Sequence, residues 1–288
     1  MGANRRLAVG PDHNERVAAT DEPFAARAGG WCVHLLTASG VLAAFQAVAG
    51  IVSPAPDPRR VFVWLGVAVI IDSVDGPLAR RFGVKRTVPQ IDGRTIDDIV
   101  DYLTFTFIPL LLVWRMQWVP APALAWIAPA LVASLLGFAN VAAKQEQGGF
   151  FLGFPSYWNV YAFYAGIVST RWGPWLPGVV ALLLAGLTVA PLRFVYPNLA
   201  PPPWRAPVIG GAVAWTVILI AMLPRYPDTS IAALVISLAY PVFYFALSAY
   251  LDRMATRNRL VPERVGDGQL LSKESETRAW DEPGGPTR

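Results

Sequence analysis

The stretch from Ile70 to Phe82, IIDSVDGPLARRF, decides how the rest of the chain is interpreted. It continues the apolar run at 61–71, VFVWLGVAVII, and places Asp72 and Asp75 near the end of a predicted membrane helix. Ionisable side chains within such helices are unfavourable, and they usually mark functional sites. The i, i+3, i+7 spacing of Asp72, Asp75 and Ala79 puts all three on one helical face.

The composition indicates a multi-span membrane protein. Of the 288 residues, 54% are hydrophobic and only 15% are charged, and the mean hydropathy is +0.41. Soluble domains carry about 25% charged residues. The single cysteine, Cys32, excludes an intrachain disulfide and a cysteine-based metal site, and the two histidines, His13 and His34, are a poor basis for a zinc site. The net charge of +4 gives no indication of nucleic-acid binding.

Eight apolar segments, separated by Pro- and Gly-rich stretches, are interpreted as membrane spans. The sequence therefore predicts an all-α integral membrane protein with about eight transmembrane helices. Its transmembrane catalytic domain, 31–251, lies between a polar N-terminal segment, 1–30, and a polar tail, 252–288. The spans are 31–52, 61–80, 98–116, 121–142, 154–170, 175–192, 207–224 and 229–251.

The basic residues predict the orientation of these spans. A cytoplasmic N-terminus brings most lysines and arginines to the cytoplasmic side, as the positive-inside rule requires. The loop between the second and third spans contributes Arg80, Arg81, Lys85, Arg86 and Arg94. Both termini, and the loop beside the aspartates, are therefore predicted to face the cytoplasm.

A second acidic pair begins the third span. Asp97 and Asp101 are spaced i, i+4 and share a helical face. Antiparallel packing of the two helices would bring these residues together with Asp72 and Asp75 at the cytoplasmic membrane surface. Four carboxylates in a partly desolvated space require cations, and all-oxygen ligation suits Mg²⁺ or Mn²⁺. Two such ions about 3.5–4 Å apart are common in phosphoryl chemistry, so a site for two divalent ions is predicted.

The acidic residues and their neighbours resemble the signature of the CDP-alcohol phosphotransferases, D-x2-D-G-x2-A-R followed by G-x3-D-x3-D. Every position is present here: Asp72, Asp75, Gly76, Ala79 and Arg80, then Gly93, Asp97 and Asp101. The spacer at 81–92 is longer than in most members and is similar to that of the bacterial branch that forms phosphatidylcholine. Three stretches agree with that branch: VHLLTASG at 33–40, GFFLGFPSYWN at 149–159 and FVYPNL at 194–199.

This resemblance implies the CDP-alcohol phosphotransferase fold and transfer of the phosphatidyl group of CDP-diacylglycerol to choline, with release of CMP. It implies that Asp72, Asp75 and Asp97 hold the metal ions with Asp101 within reach, and that Asp101 takes the proton of the attacking hydroxyl. Other signature positions border the nucleotide in that family. The corresponding residues here are Gly76, Ala79, Arg80, Gly93 and Thr37, together with His34, which replaces a family Asn.

An aromatic cluster at the start of the fifth span is the candidate acceptor pocket. Choline has a permanent positive charge, which aromatic faces bind. The stretch FFLGFPSYWNVYAFY at 150–164 is rich in aromatic residues, and Tyr157 and Trp158 are the candidate choline-binding residues. Tyr and Trp are also common at membrane interfaces, and that interpretation stays open.

Two alternatives stay open. The same chemistry could serve serine, glycerol 3-phosphate or inositol, because Arg81, Lys85 and Arg86 could receive an anionic acceptor. A cation transporter also uses intramembrane acids, although transporter acids lie near the bilayer midplane. The resemblance further implies a bacterial cytoplasmic (inner) membrane location, contact with membrane lipids, and homodimers, which are common in the family.

Overall fold

The computed structural model describes residues 23–140, 144–145 and 150–260. This part of the chain is helical apart from one small sheet. A π-helix, Tyr102–Phe107, joins α4 to α5, and 3-10 turns cover Pro197–Leu199 and Leu223–Arg225. The α-helices are α1 Phe24–Val52, α2 Pro58–Phe82, α3 Val84–Thr87, α4 Gly93–Asp101, α5 Ile108–Arg115, α6 Ala123–Ala139, α7 Trp158–Trp172, α8 Trp175–Val189, α9 Pro202–Met222 and α10 Ile231–Leu260.

Within the described residues, four helices are long and apolar enough to cross a membrane: α1, α2, α9 with the 3-10 turn that follows it, and α10 to Met254. Helices α6 and α8 are apolar but shorter. Each predicted span contains a helix, and the prediction of an all-α membrane protein is confirmed. The number of eight spans and the division at residues 30 and 251 stay predictions, and most of both tails lies outside the described residues.

Helix α2 carries the first acidic pair. Asp57 caps its N-terminus by accepting a hydrogen bond from the backbone N–H of Arg59 at 3.0 Å. Gly83 ends the helix in the left-handed conformation at φ 57°, and its N–H is donated to the carbonyls of Ala79 and Arg80. The sharp end of α2 allows the chain to turn through α3 and return as α4.

Helix α4 and the π-helix form the first part of the predicted third span. Asp92 caps α4 by accepting hydrogen bonds from the backbone N–H of Arg94 at 3.1 Å and from the hydroxyl of Thr95 at 2.8 Å. The helix begins at Gly93, before the predicted start of the span at 98, and its hydrogen bonding changes to the π pattern directly after Asp101. Such π segments are rare and often occur at functional sites.

The main buried core lies among α1, α2 and the helices from α5 to α8. Small residues of α1, including Ala44 and Ala47, share this core with Val61 and Leu65 of α2. Small side chains let membrane helices approach closely. The close packing of α1 on α2 gives the aspartates of α2 a fixed support.

A small antiparallel sheet, not predicted from the sequence, joins two neighbouring strands before α7 to one strand after α8. Its strands are β1 Lys144–Gln145, β2 Phe150–Leu152 and β3 Arg193–Val195, in the order β1-β2-β3. Phe151 pairs with Phe194 in its register, and Arg193 Nε lies 3.9 Å from Asp252 Oδ1 of α10. Strands of two or three residues are too short to show a periodic pattern, so they cannot be recognised from the sequence alone.

Candidate active site

Three carboxylates converge between α2 and α4. Asp72, Asp97 and Asp101 each offer an oxygen that lies within 4.8 Å of the other two, and all three side chains are half-buried. Asp97 and Asp101 are one helical turn apart on α4, and Asp72 faces them from α2. We call these three residues the acidic trio. The structure thus brings together three of the four predicted metal ligands.

The donor set of the acidic trio fits a hard divalent cation. Carboxylate oxygens bind Mg²⁺ or Ca²⁺-sized ions at about 2.0–2.6 Å. Two oxygens on one ion therefore lie no more than about 5 Å apart, and the 4.8 Å limit in the trio satisfies this condition. Purely oxygen donors also suit Mg²⁺ and Mn²⁺ better than softer metals.

The fourth predicted ligand, Asp75, lies one turn further along α2. It stands outside the acidic trio, and its side chain is only 6% exposed. Its contact with a metal ion stays a prediction. Asp98, next to Asp97 in the chain, is not part of the acidic trio and forms an ion pair with Arg94 at 3.6 Å.

The predicted nucleotide-binding residues of α2 lie on a more open surface. Arg80 is exposed, and Gly76 and Ala79 are half-buried beside it. A Cβ atom at Gly76 would lie 3.6 Å from Nη1 of Arg80. The guanidinium group therefore lies over Gly76, where a bound phosphate could accept hydrogen bonds from it.

Helix α1 holds the loop between α2 and α4 at two close contacts. His34 is 5% exposed and hydrogen-bonds to the backbone of Val88, and a Cβ atom at Gly93 would lie 2.9 Å from its Cε1. A Cβ atom at Gly30 would lie 2.7 Å from Cγ2 of Val88 and would collide with the hydroxyl of Thr87. These contacts fix the start of α4, and with it Asp97 and Asp101.

The predicted nucleotide residues of α1 are both buried. The hydroxyl of Thr37 donates a hydrogen bond to the carbonyl of Val33 at 3.3 Å, as Thr commonly does in membrane helices. Within the described residues, Nε2 of His34 is buried without a hydrogen-bond partner. The structure gives His34 a contact with Gly93, so these two predicted site residues lie side by side.

Trp158 is a packing residue in this structure. Its side chain is fully buried, and its Nε1 donates a hydrogen bond to the hydroxyl of Ser134 at 2.7 Å. The hydroxyl of Ser156 also donates to Ser134, at 3.0 Å. These bonds join the start of α7 to α6. Trp158 thus has no surface open to a ligand here, and its contact with choline stays a prediction.

Tyr157, by contrast, is half-buried. It packs at the edge of an aromatic core cluster that contains Phe154, Phe194 and Tyr244. Its ring packs 6.2 Å from that of Phe105 in the π-helix. Of the two predicted choline-binding residues, Tyr157 is the one that lies against the π-helix after Asp101 and keeps part of its side chain exposed, and its contact with choline stays a prediction.

The backbone at Gly153 positions Tyr157. Gly153 has φ 85°, and a Cβ atom there would collide with the carbonyl of Thr188. Its N–H is donated to the carbonyl of Leu192 at 2.7 Å, and the N–H of Phe154 to that of Leu187 at 2.9 Å. The segment before Tyr157 therefore wraps around the end of α8, which a residue other than Gly would prevent.

Sequence reasoning missed Tyr196 and Tyr240. Tyr196 follows β3 in the FVYPNL stretch, and its ring stacks on Phe151 at 4.4 Å and 22°. Tyr240 lies within α10, far along the chain. Tyr196 lies in a stretch that the sequence singles out, but only the sheet shows that its ring stacks on Phe151.

No family model matches the chain. The chain is 38% identical over 174 residues to the phosphatidylcholine synthase of Pseudomonas aeruginosa, covering 59% of this chain and 70% of that protein. It is 30% identical to that of Rhizobium johnstonii, covering 76% of this chain and 89% of the relative. It is 33% identical to the phosphatidylcholine synthase of Legionella bozemanae, covering 65% of this chain and 89% of the relative.

The chain belongs to the phosphatidylcholine synthase family. This assignment confirms the resemblance based on the aspartate signature and on the longer spacer between its halves. Phosphatidylcholine synthases are transferases of phospholipid biosynthesis, and the apolar helices agree with a membrane enzyme. Neither another acceptor nor a cation transporter is favoured.

Proposed function

We propose that this protein transfers the phosphatidyl group of CDP-diacylglycerol to choline, giving phosphatidylcholine and CMP. The observation that carries the proposal is the convergence of Asp72, Asp97 and Asp101 within 4.8 Å in a member of the phosphatidylcholine synthase family. Phosphoryl transfer needs concentrated positive charge near the phosphates. Metal cations supply this charge, and a cluster of carboxylates binds them.

Asp72, Asp97 and Asp101 would hold the divalent ions, with Asp75 as a further ligand from the same face of α2. When bound, Mg²⁺ or Mn²⁺ neutralises the pyrophosphate and the charge that develops on departing CMP. Helix packing sets the separation of these ligands, because α1 fixes both α2 and the start of α4. A pair of divalent ions is part of the proposal.

Asp101 is the proposed general base. Its carboxylate takes the proton of the choline hydroxyl, and the hydroxyl oxygen forms a bond to the phosphorus of the phosphatidyl group. The bond from that phosphorus to CMP breaks, and CMP leaves with the electron pair. A carboxylate is a weak base for an alcohol, so most of the acceleration comes from orientation and charge.

The surface of α2 next to the acidic trio is the proposed nucleotide site. Arg80 binds phosphate, and Gly76 and Ala79 leave room for the nucleotide beneath its guanidinium group. Thr37, His34 and Gly93 form the neighbouring wall, where α1 meets the start of α4. The contact between His34 and Gly93 supports a positioning role for both.

We place the active site at the cytoplasmic face of a bacterial inner membrane, with both termini in the cytoplasm. The four long apolar helices support a membrane location, and the positive-inside rule supports this orientation. The basic loop after α2 would then meet anionic lipid headgroups. A homodimer, as is common among CDP-alcohol phosphotransferases, is part of the same proposal.

An acceptor panel tests the proposed function. Purified protein receives labelled CDP-diacylglycerol and Mg²⁺ or Mn²⁺, with choline, serine, glycerol 3-phosphate or inositol as the acceptor. We expect release of CMP and formation of labelled phosphatidylcholine only when choline is the acceptor. Absence of choline-dependent CMP release, or faster release with another alcohol, would refute the proposed acceptor.

A further inference from the structure

We propose that a cavity at the end of α5 and an apolar groove between α5 and α6 together bind an anionic phospholipid, with its phosphate at Arg115 and an acyl chain in the groove. The cavity has a volume of about 600 Å³ and the groove one of about 220 Å³. We call them the headgroup cavity and the chain groove. The proposal does not depend on which alcohol accepts the phosphatidyl group.

The headgroup cavity lies at the opposite end of the third span from the acidic trio. Asp97 and Asp101 belong to α4, at the start of this span, whereas Arg115 is the last residue of α5. Since a helix rises about 1.5 Å per residue, about 20 Å of the span separates Asp101 from Arg115. Trp118, just after α5, packs with its ring centre 6.2 Å from that of Tyr226, which follows the end of α9. The positive-inside rule predicts that this end of the helices faces away from the cytoplasm.

Arg115 gives the headgroup cavity its charge. It is half-buried, and it is the only charged residue among the described residues that line the cavity. Within the described part of the chain no carboxylate pairs with Arg115, whereas Arg59 pairs with Asp57 at 3.0 Å. A guanidinium group binds phosphate through two parallel hydrogen bonds. A zwitterionic headgroup would also bring an ammonium group, for which this wall offers no carboxylate, so the charge favours an anionic lipid.

The chain groove begins at the headgroup cavity. Trp114 lines both, and its side chain is 51% exposed. The rest of the groove is apolar: Phe107, Leu110 and Leu111 line one side, and Leu124, Ile127 and Leu131 of α6 line the other. Residues spaced i, i+3, i+4 and i+7 share one helical face, as Phe107, Leu110, Leu111 and Trp114 do. The groove therefore runs from Trp114 back along α5, into the depth of the predicted span.

Packing fixes the walls of the headgroup cavity. The backbone N–H of Trp118 donates a hydrogen bond to the carbonyl of Val113 at 3.1 Å, which holds the turn after α5. Pro174, directly before α8, lines the cavity as well. Its neighbour Trp175 packs edge-on against Trp126 of α6, with ring centres 5.7 Å apart and planes at 90°. A wall held in this way lowers the ordering cost of binding a ligand.

One phospholipid molecule matches both parts of the site. Its phosphate lies at the membrane interface, where Trp side chains are common, and its acyl chains lie in the hydrocarbon below. Inorganic phosphate would use Arg115 alone and leave the chain groove uncovered. A second copy of the protein on this face would bury Arg115, which is unfavourable unless an acid faces it. A lipid satisfies the guanidinium group and the apolar groove together.

Native mass spectrometry of the purified full-length protein with phosphatidylglycerol tests the headgroup cavity. We expect Arg115→Gln to raise the phosphatidylglycerol Kd about fivefold or more, the effect of one arginine at an anionic lipid surface. Arg115→Lys keeps the charge and should stay within about threefold. Arg225→Gln is the matched control, because Arg225 is exposed at the same end of the helices and lines neither part of the site. It should bind as the unmodified protein does.

The chain groove is tested by Leu124→Ala, which removes part of its wall and should raise the same Kd about threefold. Val132→Ala is its control, since Val132 is exposed on α6 outside the groove. Phosphatidylglycerol should bind more tightly than phosphatidylcholine, and inorganic phosphate should not displace it.

Equal phosphatidylglycerol affinity in folded Arg115→Gln and Leu124→Ala would overturn the site. So would equal affinity for the two lipids, or displacement by inorganic phosphate. A dimer that forms without lipid and dissociates in Trp114→Ala would assign the groove to a second copy and overturn the lipid as its occupant. None of these results bears on the proposed function, which fails only if the unmodified protein shows no choline-dependent CMP release.

Discussion

Asp72 and Asp101 bring carboxylate oxygens within 4.8 Å of each other, although they belong to helices that a long polar connection separates. Two like charges at this distance repel each other unless a cation or a proton lies between them. Asp97 joins them from the turn before Asp101. The packing of α2 against α4 thus forms a group of carboxylates that could hold a divalent cation.

Replacement of the proposed base should separate chemistry from binding. Asp101→Asn removes the proton acceptor while it keeps the shape of the side chain. We expect kcat to fall about 10²–10⁴-fold, the usual contribution of a general base. The Kd for CMP should change far less, because Arg80 and the other metal ligands remain. Single-turnover CMP release and CMP binding on the same preparation measure both.

Asp98→Asn is the matched control for that substitution. Asp98 is adjacent to the acidic trio in sequence, but it pairs with Arg94 at 3.6 Å. A partly exposed ion pair of this kind contributes little to stability, so kcat should remain within about threefold. Equal losses in the two variants would show that any added amide in α4 disturbs the site, and would remove Asp101 from its proposed role.

The contact between His34 and Gly93 should appear as energetic coupling. Gly93→Ala introduces a Cβ atom 2.9 Å from His34 Cε1 and should shift the start of α4. We expect the KM for CDP-diacylglycerol to rise several-fold, and His34→Ala in the same chain to restore part of the loss. A double-mutant cycle on this KM should give about 0.5–3 kcal/mol of coupling. Strict additivity of the two substitutions would contradict the contact.

Gly153 should be a position where any side chain destabilises the protein. At φ 85°, with a Cβ atom directed at the carbonyl of Thr188, Gly153→Ala combines backbone strain with a collision. We expect a loss of about 1–3 kcal/mol, seen as a lower thermal unfolding midpoint in detergent. Gly186→Ala is the control, since nothing lies within 4 Å of its Cβ position. A thermal unfolding midpoint that falls equally in both variants would argue against this path of the chain around the end of α8.

Ser134 should be important for stability because it accepts two hydrogen bonds. Ser134→Ala leaves the buried Nε1 of Trp158 and the hydroxyl of Ser156 without their acceptor. An unsatisfied buried group costs about 1–3 kcal/mol, so the unfolding midpoint should fall. Ser39→Ala is the comparison, because Ser39 bonds only to its own helix at Leu36. An unaltered midpoint in Ser134→Ala would mean that Trp158 is not held in this way.

The helices and the acidic trio could be predicted because both depend on local periodicity. A run of apolar residues specifies a membrane helix, and i, i+4 spacing sets Asp97 and Asp101 on one face regardless of the rest of the fold. The approach of Asp72 required only that α2 and α4 be antiparallel neighbours. Asp75, on the same face of α2, lies outside the trio because a further helical turn separates it from Asp72.

The sheet and the π-helix could not be predicted because they depend on contacts between distant segments. Strand β2 pairs with a strand beyond two intervening helices. The π segment after Asp101 interrupts a helical stretch at a place that apolar composition does not mark. Tyr240 has the sequence context of an ordinary interface residue, and only its hydrogen bond to Val208 and its packing on α9 distinguish it.

Titration with Mn²⁺ by electron paramagnetic resonance tests the central claim most directly. The purified protein should bind Mn²⁺, with Mg²⁺ competing, and Asp72→Asn or Asp97→Asn should weaken binding at least about tenfold, as expected when one ligand of a metal site is lost. Asp98→Asn should bind Mn²⁺ as the unmodified protein does. Equal Mn²⁺ affinity in all four proteins would contradict a metal site built on Asp72, Asp97 and Asp101.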